Sequence, residues 1–325
     1  MERNILSYLL GGQINFWELA SQVAPIDEFV KSLEKMERSG LVGVKKANLF
    51  LTAKGLKLSK KLNISSKKIL DRNSCRVQAD SALLKKFKKL RLEGVFNEDY
   101  DQLQLLPESV IKKVEILKIR GDIDGKRIIC LGDDDMVAIA LALTGLPKEI
   151  AVLEVDDKII KHENKIFRQI KAKAKAHNCN LLEGVPEKFK NKYDVFITEP
   201  PDTVFGNSLF FSRGIECLKK DGGIGYIGIS ETDFSRRNYM AVEKNILKMG
   251  ALVTDIYNKL EPYEVGTEKQ WVFGIPEKYG WPKKPWFFSD LFRTEIVEGA
   301  KPMFKKSLAK KILKKLISTN IYVRQ

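Results

Sequence analysis

The chain has 325 residues, 44% of them apolar and 30% charged, with 57 Lys and Arg against 42 Asp and Glu and a formal net charge of +15. This balance excludes a wholly disordered or fibrous chain, and the length exceeds one ordinary single-core domain and suits two. The charge points at nucleic acid or anionic lipid, unless it lies on an outer surface away from the site. No run approaches the ~20 apolar residues of a membrane span. Met1-Glu2-Arg3-Asn4 does not begin a signal-peptide apolar region, so a cytoplasmic protein is expected. Cys75, Cys130, Cys179 and Cys217 are scattered without a CxxC pair, and the histidines are His162 and His177. Neither a disulfide framework, a zinc knuckle nor a His-rich metal site is expected. The Lys-, Glu- and Ile-rich, Gln-poor bias suits a heat-loving source.

Residues 1–70 predict a winged-helix-like domain. Phe29, Val30, Leu33 and Met36 recur on one face of a helix that Gly40 ends. Leu41-Val42-Gly43-Val44 and Leu49-Phe50-Leu51-Thr52 flank Lys45-Lys46-Ala47-Asn48, a hairpin signal. Asp27, Glu28, Glu34 and Glu37 on the third helix suit a phosphate surface poorly, which favours an interaction or dimerisation module over DNA binding. Residues 71–106 read as a basic connector. There Leu83, Leu84, Phe87 and Leu90 form a helical apolar stripe, and Lys85, Lys86, Lys88, Lys89 and Arg91 a solvated face.

From Pro107, which can start a helix that Gly121 ends, strands and helices alternate. Expected strands are Arg127 to Leu131, Ile150 to Glu154, a weak third at Asn180 to Leu182, Tyr193 to Ile197, and Gly223 to Ile229. Two more are expected near Val253 to Tyr257 and at Gln270 to Ile275. Helices are expected at Met136 to Thr144, from about Lys158, and from about Ser208 to Lys219. This alternation predicts an α/β fold with a doubly wound parallel sheet over residues 107–300, Rossmann-like and of the class I methyltransferase type, with an antiparallel last strand. Residues 301–325 form a basic tail, amphipathic from Lys305 to Ile317. Trp281, Trp286, Phe287 and Phe288 read as packing.

Open α/β sheets bind ligands beyond the carboxyl ends of their strands, and three acidic clusters fall there. The first is Gly132-Asp133-Asp134-Asp135. One Gly followed by three Asp repels a phosphate, which argues against NAD, FAD and ATP. It also argues against S-adenosylmethionine, whose amino-acid tail carries a carboxylate. A like-charge contact at ~4 Å costs roughly 4 kcal/mol at an effective dielectric of about 20. Decarboxylated S-adenosylmethionine keeps the sulfonium and the amine without that carboxylate, and fits the loop. The alternative is an acidic helix N-terminus that serves the dipole. The second cluster is Glu154-Val155-Asp156-Asp157. Glu154 is placed to bond ribose hydroxyls, and Asp156 either joins it or caps the next helix. The third is Glu199-Pro200-Pro201-Asp202-Thr203. Its prolines fix an extended loop without backbone donors, and its two acids suit a cationic amine. Glu261 and Glu264 follow later, either lining the same channel or sitting on a solvated loop.

These motifs carry a resemblance. Tyr100-Asp101-Gln102, Arg120-Gly121-Asp122, Gly125-Lys126-Arg127, Leu131-Gly132-Asp133-Asp134-Asp135 and Thr144-Gly145-Leu146-Pro147 are similar to the branched-chain polyamine synthase family. So are Val152-Leu153-Glu154-Val155-Asp156 and Phe196 through Thr203. The resemblance implies aminopropyl transfer from decarboxylated S-adenosylmethionine to spermidine, a homodimer, and an Asp of the Gly-Asp-Asp-Asp motif as catalytic residue. On that basis Asp134, helped by Asp135, is the expected base or amine-positioning group. Gly132, Asp133, Glu154, Asp156 and Glu183 are expected around the donor, and Glu199, Asp202, Glu261 and Glu264 around the polyamine, with no metal. The sequence departs from the family where Glu199-Pro-Pro-Asp202 replaces the usual Asp-Pro-Pro-Glu. After strand three, Leu182-Glu183-Gly184-Val185 supplies Glu183 in place of an Asp and an Arg, and around Cys75 a second cysteine is missing. Two other functions fit parts of the pattern: an S-adenosylmethionine-dependent methyltransferase on nucleic acid, and a non-catalytic polyamine-sensing DNA-binding protein. The clusters contain no Lys or Arg, so the net positive charge belongs to other surfaces and leaves a site suited to a polycation.

Overall fold

The computed structural model describes residues 1–23, 25–67, 77–97, 100, 102–230, 232, 234–263, 275–280 and 282–304. The chain divides into two compact units. One contains residues 1–74, 230–236 and 262–288, the other residues 75–229, 237–261 and 289–325.

The first unit opens with α1 (Glu2–Leu9), β1 (Ile14–Asn15) and α2 (Phe16–Ala20), which starts where the Asn15 side chain accepts from the Trp17 amide at 3.0 Å. In α3 (Ile26–Arg38) the predicted stripe Phe29, Val30, Leu33 and Met36 is buried. Next come β2 (Val42–Lys45) and β3 (Asn48–Leu51), joined by Lys46 and Ala47, both at positive φ (49° and 61°). Two left-handed residues make the tight turn whose twist matches that of a hairpin. The three strands form an antiparallel sheet in the order β1-β3-β2, and α4 (Ala53–Lys61) follows, capped by Thr52. Distant residues complete this core. Tyr279 stacks on Phe16 at 4.1 Å and donates to Glu37 on α3, and Trp286 packs 5.0 Å from Trp17. Trp286, Phe287 and Phe288 are buried, as packing requires, while Trp281 lies outside the described residues.

The second unit begins with α5 (Ser81–Leu90), capped by Asp80 and with Phe87 fully buried. A short ladder pairs β4 (Phe96–Asn97) with β5 (Gln102–Leu103), and α6 (Pro107–Ile119) has proline in its first turn. The alternating part is β6 (Arg127–Leu131), α7 (Val137–Thr144), β7 (Glu149–Glu154), α8 (Asp157–Gln169), β8 (Ala174–Asn178), β9 (Val195–Thr198), α9 (Val204–Cys217) and β10 (Gly223–Ser230). After these come α10 (Arg236–Lys248), β11 (Ala251–Pro262) and β12 (Phe288–Ile296). One seven-stranded sheet runs β11-β12-β10-β9-β6-β7-β8, and the five strands from β10 to β8 are parallel. Beside β10 the partners run in opposite senses: Thr294 bonds Gly225, and Ile296 crowds Gly222. The central strands are continuous buried apolar runs, as expected of a sheet covered on both faces.

Two strands differ from expectation. The third parallel strand is Ala174–Asn178 rather than Asn180 to Leu182. It lies on the sheet edge, and Ala176 is its buried residue, so its side chains carry little β signal; pairing to β7 makes it a strand. The strand beside β10 is Phe288–Ile296; the strand expected at Gln270 to Ile275 falls on residues 270–274, which lie outside the described part. Buried Ser289, Asp290, Arg293 and Thr294 break up the apolar run that would have marked it. Arg293 is held by Asp122 at 2.8 Å, which also accepts from Tyr226 at 2.6 Å.

Candidate active site

Register brings the acidic clusters together. Ile227, Thr198, Leu131, Leu153 and His177 stand in one row across five parallel strands. The next residue in each is Gly228, Glu199, Gly132, Glu154 and Asn178, so Glu154 and Glu199 flank the start of the Gly-Asp-Asp-Asp loop. Gly132 turns the chain at φ +68°, and Met136 turns it again at φ 58° into α7. Between these turns Asp133 is buried, and its carboxylate accepts from the Val137 and Ala138 amides at 2.8 and 2.9 Å. Asp133 therefore caps α7, as an acid at a helix N-terminus should. Glu154 accepts from the amides of Asp133, Val155 and Asp156 at 2.8, 2.7 and 2.9 Å, which ties the loops after β6 and β7 to each other. Burial raises the Glu154 carboxyl despite those three bonds. A carboxylate has about four acceptor sites, so one remains for a ligand hydroxyl.

Asp134 and Asp135 face a strap from the segment before α6. The Leu103 amide donates to Asp134 at 3.1 Å and the Leu105 amide to Asp135 at 2.6 Å. Gln104 ties the Asp134 carbonyl to that of Leu92, at 2.8 and 3.0 Å. The second Asp135 oxygen is buried without a hydrogen-bond partner. Burial, then the charges of Asp135, Glu154, Glu199 and Asp133, push the Asp134 carboxyl well above the ordinary carboxylate range. Burial raises Asp135 to about 7, with Glu199 and Asp133 adding to it and Lys113 and the Leu105 amide opposing it. Asp133 rises to about 7 as well, from burial first, beside a fully buried Glu163 that burial and Asp133 push well above its usual range.

Glu199 is held above β10. A Cβ at position 228 would fall 2.1 Å from both its carboxyl oxygens, so this approach requires glycine. Its oxygens bond Lys113 at 3.1 Å and Ser289 at 2.9 Å. Glu261, fully buried near the end of β11, is 2.6 Å from Lys113 and 2.9 Å from the Ser289 hydroxyl oxygen. Glu261 is thus a strand residue within the sheet and not part of a solvated loop. Burial would release the Lys113 proton; the carboxylates of Glu261, Glu199 and Asp135 hold it on. Asp202 is partly buried in the Pro-Pro loop, just before the Thr203 cap of α9. Asp156 caps α8 through the Lys158 amide at 2.7 Å, the second of its two expected roles. Glu183 sits exposed on a turn after β8, and Glu264 lies outside the described residues.

The structure therefore gathers Asp133, Asp134, Asp135, Glu154, Glu199 and Glu261 around one end of the sheet. It adds three residues that sequence reasoning missed: Lys113, Glu163 and Ser289. The first two had a signal. Lys113 shares a helix face with Val110, Val114 and Leu117, and Glu163 one with Ile159, Ile166 and Phe167. A charged side chain inside an apolar stripe is buried, and so must be paired or neutral. A cleft of about 490 Å³, lined by Lys190, Lys219, Gly222, Ile296 and Pro302 among others, lies at the opposite end of the strands and holds none of these acids. Among the described residues, no group of His, Cys, Asp and Glu is arranged for a metal ion, and no helix is long and apolar enough to cross a membrane.

Residues 83–316 match the family described as the branched-chain polyamine synthase A C-terminal domain. The N(4)-bis(aminopropyl)spermidine synthase of Thermococcus kodakarensis is 31% identical over 289 residues, which cover 85% of this chain and 82% of that protein. That of Methanocaldococcus jannaschii is 29% identical over 92% of this chain and 88% of its own. The branched-chain polyamine synthase of Thermus thermophilus, solved with N4-aminopropylspermidine and 5′-methylthioadenosine, superposes with a TM-score of 0.82. That likeness covers 95% of this chain and 90% of that one at 25% identity. A putative RNA methyltransferase of Pyrococcus horikoshii (TM-score 0.50, 18% identity, 66% of this chain and 97% of that one) shares the fold alone. With the sheet order, the acid-lined strand ends and these relatives in agreement, the chain belongs to the N(4)-bis(aminopropyl)spermidine synthase family of branched-chain polyamine synthases.

Proposed function

We propose that the protein transfers the aminopropyl group of decarboxylated S-adenosylmethionine to the secondary amine of spermidine, releasing methylthioadenosine. One observation carries this reading: six carboxyl groups converge on one end of the sheet, and Lys113, the cation beside them, is buried behind Glu199 and Glu261. Such a site favours ligands with several positive charges and no carboxylate. Spermidine and the decarboxylated donor are both of that kind, and intact S-adenosylmethionine is not.

In the reaction the acceptor nitrogen attacks the carbon beside the sulfonium, the carbon–sulfur bond breaks, and the electron pair leaves on sulfur as the neutral thioether. A protonated amine has no lone pair, so its proton must leave first. Asp134 is the base or amine-positioning group, and Asp135 is its helper. Burial raises both groups, and Asp135, at about 7, lies where a proton-transfer group works best, near the working pH. Glu199 and Asp202 hold the remaining ammonium groups, with the buried Glu261 behind Glu199. Gly132 and Asp133 shape the donor loop, and Glu154 offers its free acceptor site to the ribose with Asp156 beside it. Glu183 is a further residue on the donor side. Holding both reactants in line supplies much of the rate.

The reading extends to a winged-helix-like module in residues 1–70. The order of its helices and its three-stranded sheet support this, and the acids of α3 favour a role in subunit contact over DNA binding. It also extends to a cytoplasmic homodimer. The test is to incubate the protein with spermidine and either decarboxylated or intact S-adenosylmethionine and weigh the products. Aminopropylated spermidine with methylthioadenosine is the expected result from the decarboxylated donor alone. Methyl transfer from the intact donor, or no product, overturns the reading.

A further inference from the structure

Lys113 lies 1% exposed within the apolar face of α6, where an unpaired ammonium would be strongly unfavourable. Two carboxyl groups from separate elements hold it, Glu199 after β9 and Glu261 in β11. Ser289 in β12 closes the circuit, its Oγ 2.9 Å from an oxygen of each. A hydroxyl has one proton to donate. With two carboxyl oxygens at equal distance, a proton on one of the carboxyl groups completes the circuit. Burial, then the charge of Glu199, pushes Glu261 up to about 8 against the pull of Lys113, so Glu261 carries that proton near neutral pH. The circuit then runs from the Glu261 hydroxyl to Ser289 and from Ser289 to Glu199, with Lys113 within ion-pair distance of both carboxyl groups.

We propose that Lys113 is a positioning residue of the transfer reaction: clamped together with Ser289, it fixes Glu199 in one orientation above Gly228 and supplies the buried positive charge that Glu199 and Asp135 face. This rests on the aminopropyl-transfer reading above. The competing account is local compensation, in which Lys113 serves Glu261 alone. The groups facing Glu199 and Asp135 include Lys113 from α6, Glu261 from β11, Ser289 from β12, and Asp133 and Asp134 from the loop after β6. Lys113 supplies positive charge to this set and lowers Asp135. Without it, Asp135 ionises at higher pH.

The experiment compares wild type, Glu261→Gln and the double variant Lys113→Met with Glu261→Gln. The glutamine stands in for the protonated carboxyl, so the double variant leaves no charged Glu261 behind, and Glu199 keeps Ser289 as a partner. Methylthioadenosine release is followed across pH, with thermal unfolding as a check. The double variant is expected to unfold near the temperature of Glu261→Gln. Its kcat/KM for spermidine should fall at least about tenfold at neutral pH, and the rising limb of its pH profile should move about one unit alkaline. A double variant whose rate and profile coincide with those of Glu261→Gln overturns the positioning role and leaves the transfer reading intact. A wild type that releases no methylthioadenosine overturns both.

Discussion

A side chain at position 228 would meet Glu199 head on, because a Cβ there falls 2.1 Å from its oxygens. Gly228→Ala must therefore move the acid or the strand. It is expected to cost roughly 1–3 kcal/mol in stability, as overpacking does, and to lower turnover more than stability alone explains. Denaturant unfolding and steady-state rates on the same preparation check this. Asp134→Asn removes the ionisable group and keeps the shape. It should cut kcat by at least about two orders of magnitude while donor binding survives, which a rate assay and a binding titration separate. At this scale the sequence was partly legible. Acids in strand-end loops announce themselves, since they interrupt apolar runs where ligands bind. Lys113 and Glu163 were overlooked because they stand inside helices, and their meaning depends on which helix face turns inward. Ser289 had no signal at all: a serine in a strand is informative once Glu199 and Glu261 are known to flank it.

Elements were read best where one local rule decides them. The apolar runs of β6, β7 and β10 and the stripe of α3 needed no tertiary context. β8 and β12 did, because one is a polar edge strand and the other buries serine, aspartate, arginine and threonine whose partners lie far along the chain. α9 depends on a cap, the Thr203 hydroxyl oxygen accepting from the Gly206 amide at 2.8 Å. Thr203→Ala should cost about 1 kcal/mol in unfolding free energy. Because Asp202 precedes this cap, KM for spermidine should also rise. Loss of stability with an unchanged KM would separate the cap from the acid.

Over the whole molecule, buried acids make stability depend on pH in an unusual direction. Asp133 and Asp135 titrate near 7 and Glu261 near 8 in the folded protein, above their unfolded values. Between those limits the native state binds more protons than the unfolded chain. The stabilisation is fully present below the ordinary carboxylate range and is lost as pH rises through 7 to 8. The thermal midpoint of the substrate-free protein should therefore fall between about pH 6 and pH 9, and added spermidine should reduce the fall, because its ammonium groups compensate the ionised acids. A midpoint that rises over that range would contradict the assignment. The net charge of +15 does not conflict with this: the site is an acidic enclave in a basic molecule. The strap that donates Leu103 and Leu105 to Asp134 and Asp135 has a consequence for observation. Each of those two amide protons hydrogen-bonds a carboxyl group whose charge changes in turnover. A negative carboxylate grips an amide more firmly than a neutral acid does. The chemical shifts and exchange rates of the two amides are thus a built-in meter of the charge in the site, readable in the resting protein before any product forms.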